Sequence, residues 1–130
     1  MIKILIVEDD PSTLKLLKKL INDIGYVDIL AGSAELAHEI LKVNKDIDLL
    51  VTDVVLEEMS GLDLVKIVRE DDHFKELPIV VCSGMISKDE IMSFLNEGIQ
   101  LFMEKPINGK KFQGHVLKLL EPVLEETRFL

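Results

Sequence analysis

Five short apolar runs separated by longer stretches of helical period constrain this chain more than any other feature. The runs cover residues 2–7, 26–30, 48–52, 78–82 and 100–104. The first, third and fourth are rich in Ile, Val and Leu with almost no polar alternation, the pattern of central strands in a parallel sheet covered on both faces. The intervening stretches carry apolar stripes at helical spacing. The first stripe is read as Leu16, Leu17, Leu20, Ile21 and Ile24, leaving Leu14, Lys15, Lys18 and Asn22 facing outward. Others are Leu36, Ala37, Ile40 and Leu41; Leu62, Leu64, Val65, Ile67 and Val68; Ile91, Phe94 and Leu95; and Phe112, Val116, Leu119 and Leu120. Helix starts are marked by Asp10-Pro11, by Ser33 and Ser60, and by the capping box running from Ser87 to Glu90. Gly25 and Gly98 stand where helix ends want a left-handed residue. The pattern predicts an α/β chain of (βα)5 type, a doubly wound parallel sheet with right-handed crossovers.

At 130 residues the chain has room for one domain. Its 24 acidic residues outnumber 15 basic ones, for a net charge of −9, which repels phosphate backbones and argues against direct nucleic-acid binding. The single cysteine, Cys82, excludes an internal disulfide and a multi-cysteine metal site and fits a reducing compartment. No run is long enough to span a membrane, and the N-terminus passes directly into Glu8, Asp9 and Asp10 with no signal-peptide pattern. A cytoplasmic chain is the expectation.

In such a sheet the ligand site lies beyond the carboxyl ends of the strands. Those ends carry Glu8, Asp9 and Asp10 after the first strand, Asp53 after the third, Ser83 after the fourth and Lys105-Pro106 after the fifth. No glycine-rich loop follows the first strand, so nucleotide-binding loop readings fail. Asp10 directly precedes Pro11 and reads as a helix cap. Glu8 and Asp9 with Asp53 form an acid cluster whose repulsion, roughly 4 kcal/mol for two charges ~4 Å apart at a dielectric near 20, calls for a cation or a raised pKa. Oxygen ligands without cysteine or histidine nearby point to Mg²⁺.

These residues resemble the receiver domain of two-component response regulators, of the chemotaxis-regulator type. Residues 4–11 are similar to that family's first strand and acidic pair, with Glu8 and Asp9 on the paired positions. Residues 50–61 resemble its phosphoacceptor segment, usually ending D-x-x-M-P-x-M-D-G. Asp53 and Gly61 match, whereas Glu57 replaces the proline and Ser60 the second aspartate. Residues 80–84 stand in the place of its hydroxyl residue and small neighbour, and residues 102–106 match the aromatic, the lysine and its proline, usually a cis bond in the family.

The resemblance implies a flavodoxin-like sheet in the order 2-1-3-4-5, a receiver domain over residues 1–121, and a C-terminal tail or start of a linker over 122–130. It implies a signalling switch that accepts a phosphoryl group on Asp53 from a histidine kinase or phosphotransfer protein, dephosphorylates slowly and is not a turnover enzyme. Mg²⁺ would be held by Asp9, Asp53 and the Val55 carbonyl, with Glu8 acting mostly through water. Lys105 would pair with Asp53 at rest and with the phosphoryl group afterwards, and Ser83 would donate its hydroxyl to that group. Phe102 is the switch aromatic, on the strand face opposite Leu101 and Met103. Val55 and Met85 would flank the path of hydrolytic water, and Leu14, Lys15, Lys18 and Asn22 would dock the kinase. The output would pass to a downstream protein or output domain through the helix 4–strand 5–helix 5 face, with a phosphorylation-dependent homodimer as a further partner.

Two readings compete. A haloacid-dehalogenase-type phosphohydrolase resembles D-x-D at its nucleophile, but Val55 stands at the second acid and no cap insertion exists. A phosphate-independent pseudo-receiver is opposed by intact Asp9, Asp53 and Lys105. Cys82 and the methionines Met59, Met85, Met92 and Met103 read as packing residues.

Overall fold

A computed structural model describes residues 1–128. The chain alternates β1 (Lys3–Val7), α1 (Pro11–Asp23), β2 (Val27–Ala31), α2 (Ala34–Val43), β3 (Leu49–Asp53), α3 (Gly61–Glu70), a 3₁₀ turn (Asp72–Phe74), β4 (Ile79–Ser83), α4 (Lys88–Asn96), β5 (Leu101–Glu104), α5 (Gly109–Leu119) and α6 (Glu121–Arg128). All strand pairs are parallel, in the order β2-β1-β3-β4-β5. The expected fold is thus observed, each strand within one residue of its apolar run.

Side-chain alternation along the strands divides the interior into two layers. Leu5, Val7, Leu50 and Val81 face α2, α3 and α4, packing with Ala37, Leu41, Leu64, Val65 and Phe94. Ile4, Ile6, Leu49, Val51, Val80 and Cys82 face α1 and α5, packing with Leu17, Ile21, Phe112 and Val116. β3 and β4 are buried along their full length, which is why their sequences lack polar alternation.

The helix starts follow the sequence signals. Asp10 accepts from the backbone of Thr13 and Ser33 from that of Leu36, while Ser60 and Ser87 close reciprocal capping boxes with Asp63 and Glu90. Gly25 and Gly98 have φ of +84° and +70°. Glu58 also adopts positive φ, +60°, which the sequence did not signal.

The α1 stripe requires a correction. Leu14, expected to face outward, is half-buried against the β1–β3 layer, and Leu16, expected in the core, is 41% exposed. Leu14, Leu17 and Ile21 stand at i, i+3 and i+7, one face of the helix, whereas Leu16 is rotated off it. Leu36 and Leu95 are likewise exposed rather than core. The expected tail at 122–130 begins as helix: Pro122 lies in the first turn of α6, where proline is tolerated. Phe129 and Leu130 lie outside the described residues. No helix among the described residues is long and apolar enough to cross a membrane.

Candidate functional site

The register brings together side chains far apart in sequence. β1 and β3 are neighbours, so Glu8 and Asp9 emerge beside Asp53, and β4 pairs with β5, so Lys105 follows within reach. Carboxylate oxygens of Glu8, Asp9 and Asp53 all lie within 4.8 Å of one another. Glu8 is 1% and Asp53 8% exposed, while Asp9 is open to solvent. Lys105 closes the cluster. Its ammonium donates to Asp53 Oδ2 at 2.8 Å and to Glu8 Oε2 and Oε1 at 3.0 and 3.2 Å. The sequence reading paired Lys105 with Asp53 alone; the longer Glu8 side chain brings a second carboxylate to the same ammonium.

Backbone groups fix the carboxylates further. The Val54 N–H donates to Asp53 Oδ1 at 2.7 Å, and the Asp10 N–H to Glu8 Oε1 at 3.2 Å. Burial holds the Glu8 carboxyl above its ordinary value, with the Asp53 charge adding, although the Lys105 hydrogen bond pulls the other way. Burial works against the Lys105 ammonium, but its hydrogen bonds to Asp53 and Glu8 outweigh that and raise its pKa. Asp10 is set apart: its carboxylate accepts the Thr13 hydroxyl at 2.6 Å and backbone N–H at 3.1 Å, which lower its pKa. It is the cap that the sequence indicated.

The loop after β3 is held by Gly61, whose N–H donates to the Val54 carbonyl at 3.0 Å. A Cβ there would stand 2.0 Å from the Asp53 carbonyl oxygen, closer than any side chain tolerates. Gly61 therefore permits the close approach that fixes Asp53. Ser83 is buried beside the site and donates its hydroxyl to the Met85 carbonyl at 2.8 Å. Val55 and Met85 are 71% and 89% exposed, so Met85, together with Met92, corrects the expectation that the methionines are packing residues. Lys105-Pro106 is cis.

Phe102 is half-buried on the α4 side, with its ring edge-on to Phe94 at 5.8 Å and 85°; Leu101 and Met103 pack on the other layer. Cys82, in the strand neighbouring Asp53, is buried, and its thiol is pushed up to about 12 by that burial, an inert group. On α1, Lys15 and Lys18 are exposed, while the Asn22 amide donates to Asp28 at 2.7 Å and to the Tyr26 carbonyl at 3.2 Å, tying the helix end to β2. The sequence reading missed Arg69. Its guanidinium donates to the carbonyls of Glu97, Phe74 and Gly98 at 2.6, 3.0 and 3.2 Å.

The ligand atoms that Glu8, Asp9 and Asp53 offer are carboxylate oxygens, a set suited to a hard cation such as Mg²⁺. Three carboxylates and a lysine at the carboxyl edge of a doubly wound sheet suit phosphoryl chemistry. Comparison with known proteins agrees: residues 4–117 match the response regulator receiver domain model, and the chain belongs to that family. The chain is 38% identical over 124 residues to chemotaxis protein CheY1 of Helicobacter pylori, covering 94% of this chain and 96% of that protein. It is 32% identical to a CheY homolog of Campylobacter jejuni, with 94% and 92% covered. A CheY-like receiver domain protein of Methanospirillum hungatei shares the fold, with a TM-score of 0.88 at 23% identity over 97% of this chain and 98% of that one. As a receiver domain of this type, the chain serves phosphorylation-dependent signalling and is not a turnover enzyme.

Proposed function

We propose that Asp53 is the phosphoacceptor and that the chain takes its phosphoryl group from a phosphohistidine on a sensor kinase or phosphotransfer protein, in the cytoplasm. The observation that carries this reading is the bridge from Lys105 to both Asp53 and Glu8 inside a three-carboxylate cluster. In the transfer an Asp53 carboxylate oxygen forms the new O–P bond as the N–P bond breaks. The imidazole departs with the electron pair and is protonated by solvent. An anion attacking an anionic phosphoryl group needs positive charge beside it, and Lys105 supplies one unit. Its ammonium exchanges the Asp53 oxygen for a phosphoryl oxygen, and Ser83, released from the Met85 carbonyl, donates its hydroxyl to another.

Asp9, Asp53 and the Val55 carbonyl are the ligands we assign to Mg²⁺, with Glu8 acting mostly through water. A bound Mg²⁺ would neutralise charge on the attacking and transferred oxygens. Loss of the Ser83 bond to Met85 frees the loop before α4, and the ring of Phe102, stacked edge-on against Phe94, follows. Output then passes through the α4–β5–α5 face to a downstream protein or output domain, or to a second copy of the chain. Kinase docking rests on the exposed Lys15, Lys18 and Asn22, joined by Leu16 in place of Leu14. Residues 1–121 form the receiver domain and 122–130 the tail or start of a linker. The pseudo-receiver reading is opposed by the complete acid cluster and its lysine.

Beryllofluoride with Mg²⁺ tests this reading. Wild type should bind it with amide shifts centred on Asp53, Ser83 and Phe102, and Asp53→Asn should bind none. Equal binding by Asp53→Asn would remove Asp53 as the acceptor.

A further inference from the structure

The five helices flanking the sheet are not held equally. α3 buries Gly61, Leu64, Val65 and Val68, and α2 buries three residues, whereas α4 buries only Phe94. Its N-terminal end has a local capping box, Ser87 with Glu90, which ties the helix to itself rather than to the body of the domain. The Glu97 and Gly98 N–H groups answer the Phe94 and Leu95 carbonyls at 3.0 and 2.9 Å, but the last turn carries no basic residue to reach the Glu97 and Gly98 carbonyls that follow. Arg69, from α3, does so: Nε and Nη2 donate to the Glu97 and Gly98 carbonyls at 2.6 and 3.2 Å, while Nη1 holds Phe74 at 3.0 Å. One charged group, partly buried, thus joins α3, the 3₁₀ turn and the exit of α4. Charged donors to carbonyls are stronger than neutral ones, and the fork geometry fixes direction as well as distance.

We propose that Arg69 is a positioning residue for the switch: it pins the C-terminal end of α4, so that filling the Asp53 site displaces α4 at its Ser87 end and pivots it about Glu97. The proposal rests on the reading of Asp53 as acceptor. It explains how a change at Ser83 and the adjoining loop can become a rotation of α4 rather than its detachment, since the far end is held from another helix.

The test is amide hydrogen exchange read by mass spectrometry on wild type, Arg69→Met and Arg69→Lys, each with and without beryllofluoride and Mg²⁺. In wild type, the ligand should change exchange over residues 85–92 and leave residues 94–98 unaffected. In Arg69→Met, residues 94–98 should exchange about tenfold faster without ligand and should respond to it, while the peptides of β1 and β3 stay as in wild type. Arg69→Lys, which keeps the charge but loses the fork, should fall between, and it carries the comparison if Arg69→Met fails to fold. The proposal is overturned if wild type responds equally at both ends of α4, or if residues 94–98 behave alike in variant and wild type. It is also overturned if the variant's exchange rises uniformly across the chain. A wild type that does not respond to beryllofluoride would refute the Asp53 reading instead, and the ligand-free comparison would still decide the role of Arg69.

Discussion

Replacing Lys105 by methionine removes the one cation between two buried carboxylates while keeping a side chain of similar length. Glu8 and Asp53 oxygens within 4.8 Å repel by roughly 3.5 kcal/mol or more at an effective dielectric near 20. The lysine side chain is 23% exposed, so water and salt already screen part of its attraction, and a net loss of about 1–3 kcal/mol is the expected cost. The sign of the pH dependence follows from Glu8, whose pKa is raised in the folded chain by burial and by the Asp53 charge. A group of that kind contributes fully below its unfolded value and loses the contribution as pH rises through the folded one. Without Lys105 the folded value climbs further, so the penalty should be small near pH 4.5 and grow toward pH 7. Urea unfolding of wild type and Lys105→Met across that range reads it directly. Saturating Mg²⁺ should recover most of the loss at pH 7, because it stabilises the folded form by occupying the same charge deficit. A penalty independent of pH and of Mg²⁺ would refute the electrostatic account and leave lost packing as the cause.

Gly61→Ala sets a Cβ 2.0 Å from the Asp53 carbonyl oxygen; about 3 kcal/mol or more of stability should be lost as backbone moves, and unchanged urea unfolding would contradict the close approach. Glu58→Asn should stabilise by about 0.5–1 kcal/mol, since asparagine tolerates the φ of +60° better than glutamate; a lower melting temperature would count against strain at that turn. Val55 and Met85, exposed and apolar, cannot orient an attacking water, so Val55→Asn/Met85→Glu should speed phosphate loss by about 5- to 150-fold, equivalent to ~1–3 kcal/mol. Equal decay rates in a Mg²⁺-containing assay would remove both residues from that role.

The sheet was legible because β3 and β4 are buried along their full length, so their apolar runs carry no competing signal. The site followed, because strand-end positions of a parallel sheet converge whatever lies between them: Glu8 and Lys105 are 97 residues apart yet share hydrogen bonds. The first helix was misread for a local reason. Leucines at 14, 16, 17 and 20 offer two overlapping stripes, and only the packing of Leu14 and Leu17 on the β1–β3 layer selects one. Asn22 faces outward as expected, but its hydrogen bond to Asp28 crosses a turn that periodicity does not resolve. Arg69 had no signal at all, since its partners are backbone carbonyls that exist only once α4 and the 3₁₀ turn are in place. The resting bond from Ser83 to the Met85 carbonyl is of the same kind.

The central claim is that Asp53 accepts the phosphoryl group, and intact-mass measurement after incubation with acetyl phosphate and Mg²⁺ tests it most directly. Wild type should gain one phosphoryl mass, and Asp53→Asn should gain none under the same conditions. An Asp53→Asn protein labelled to the same extent as wild type would contradict the account.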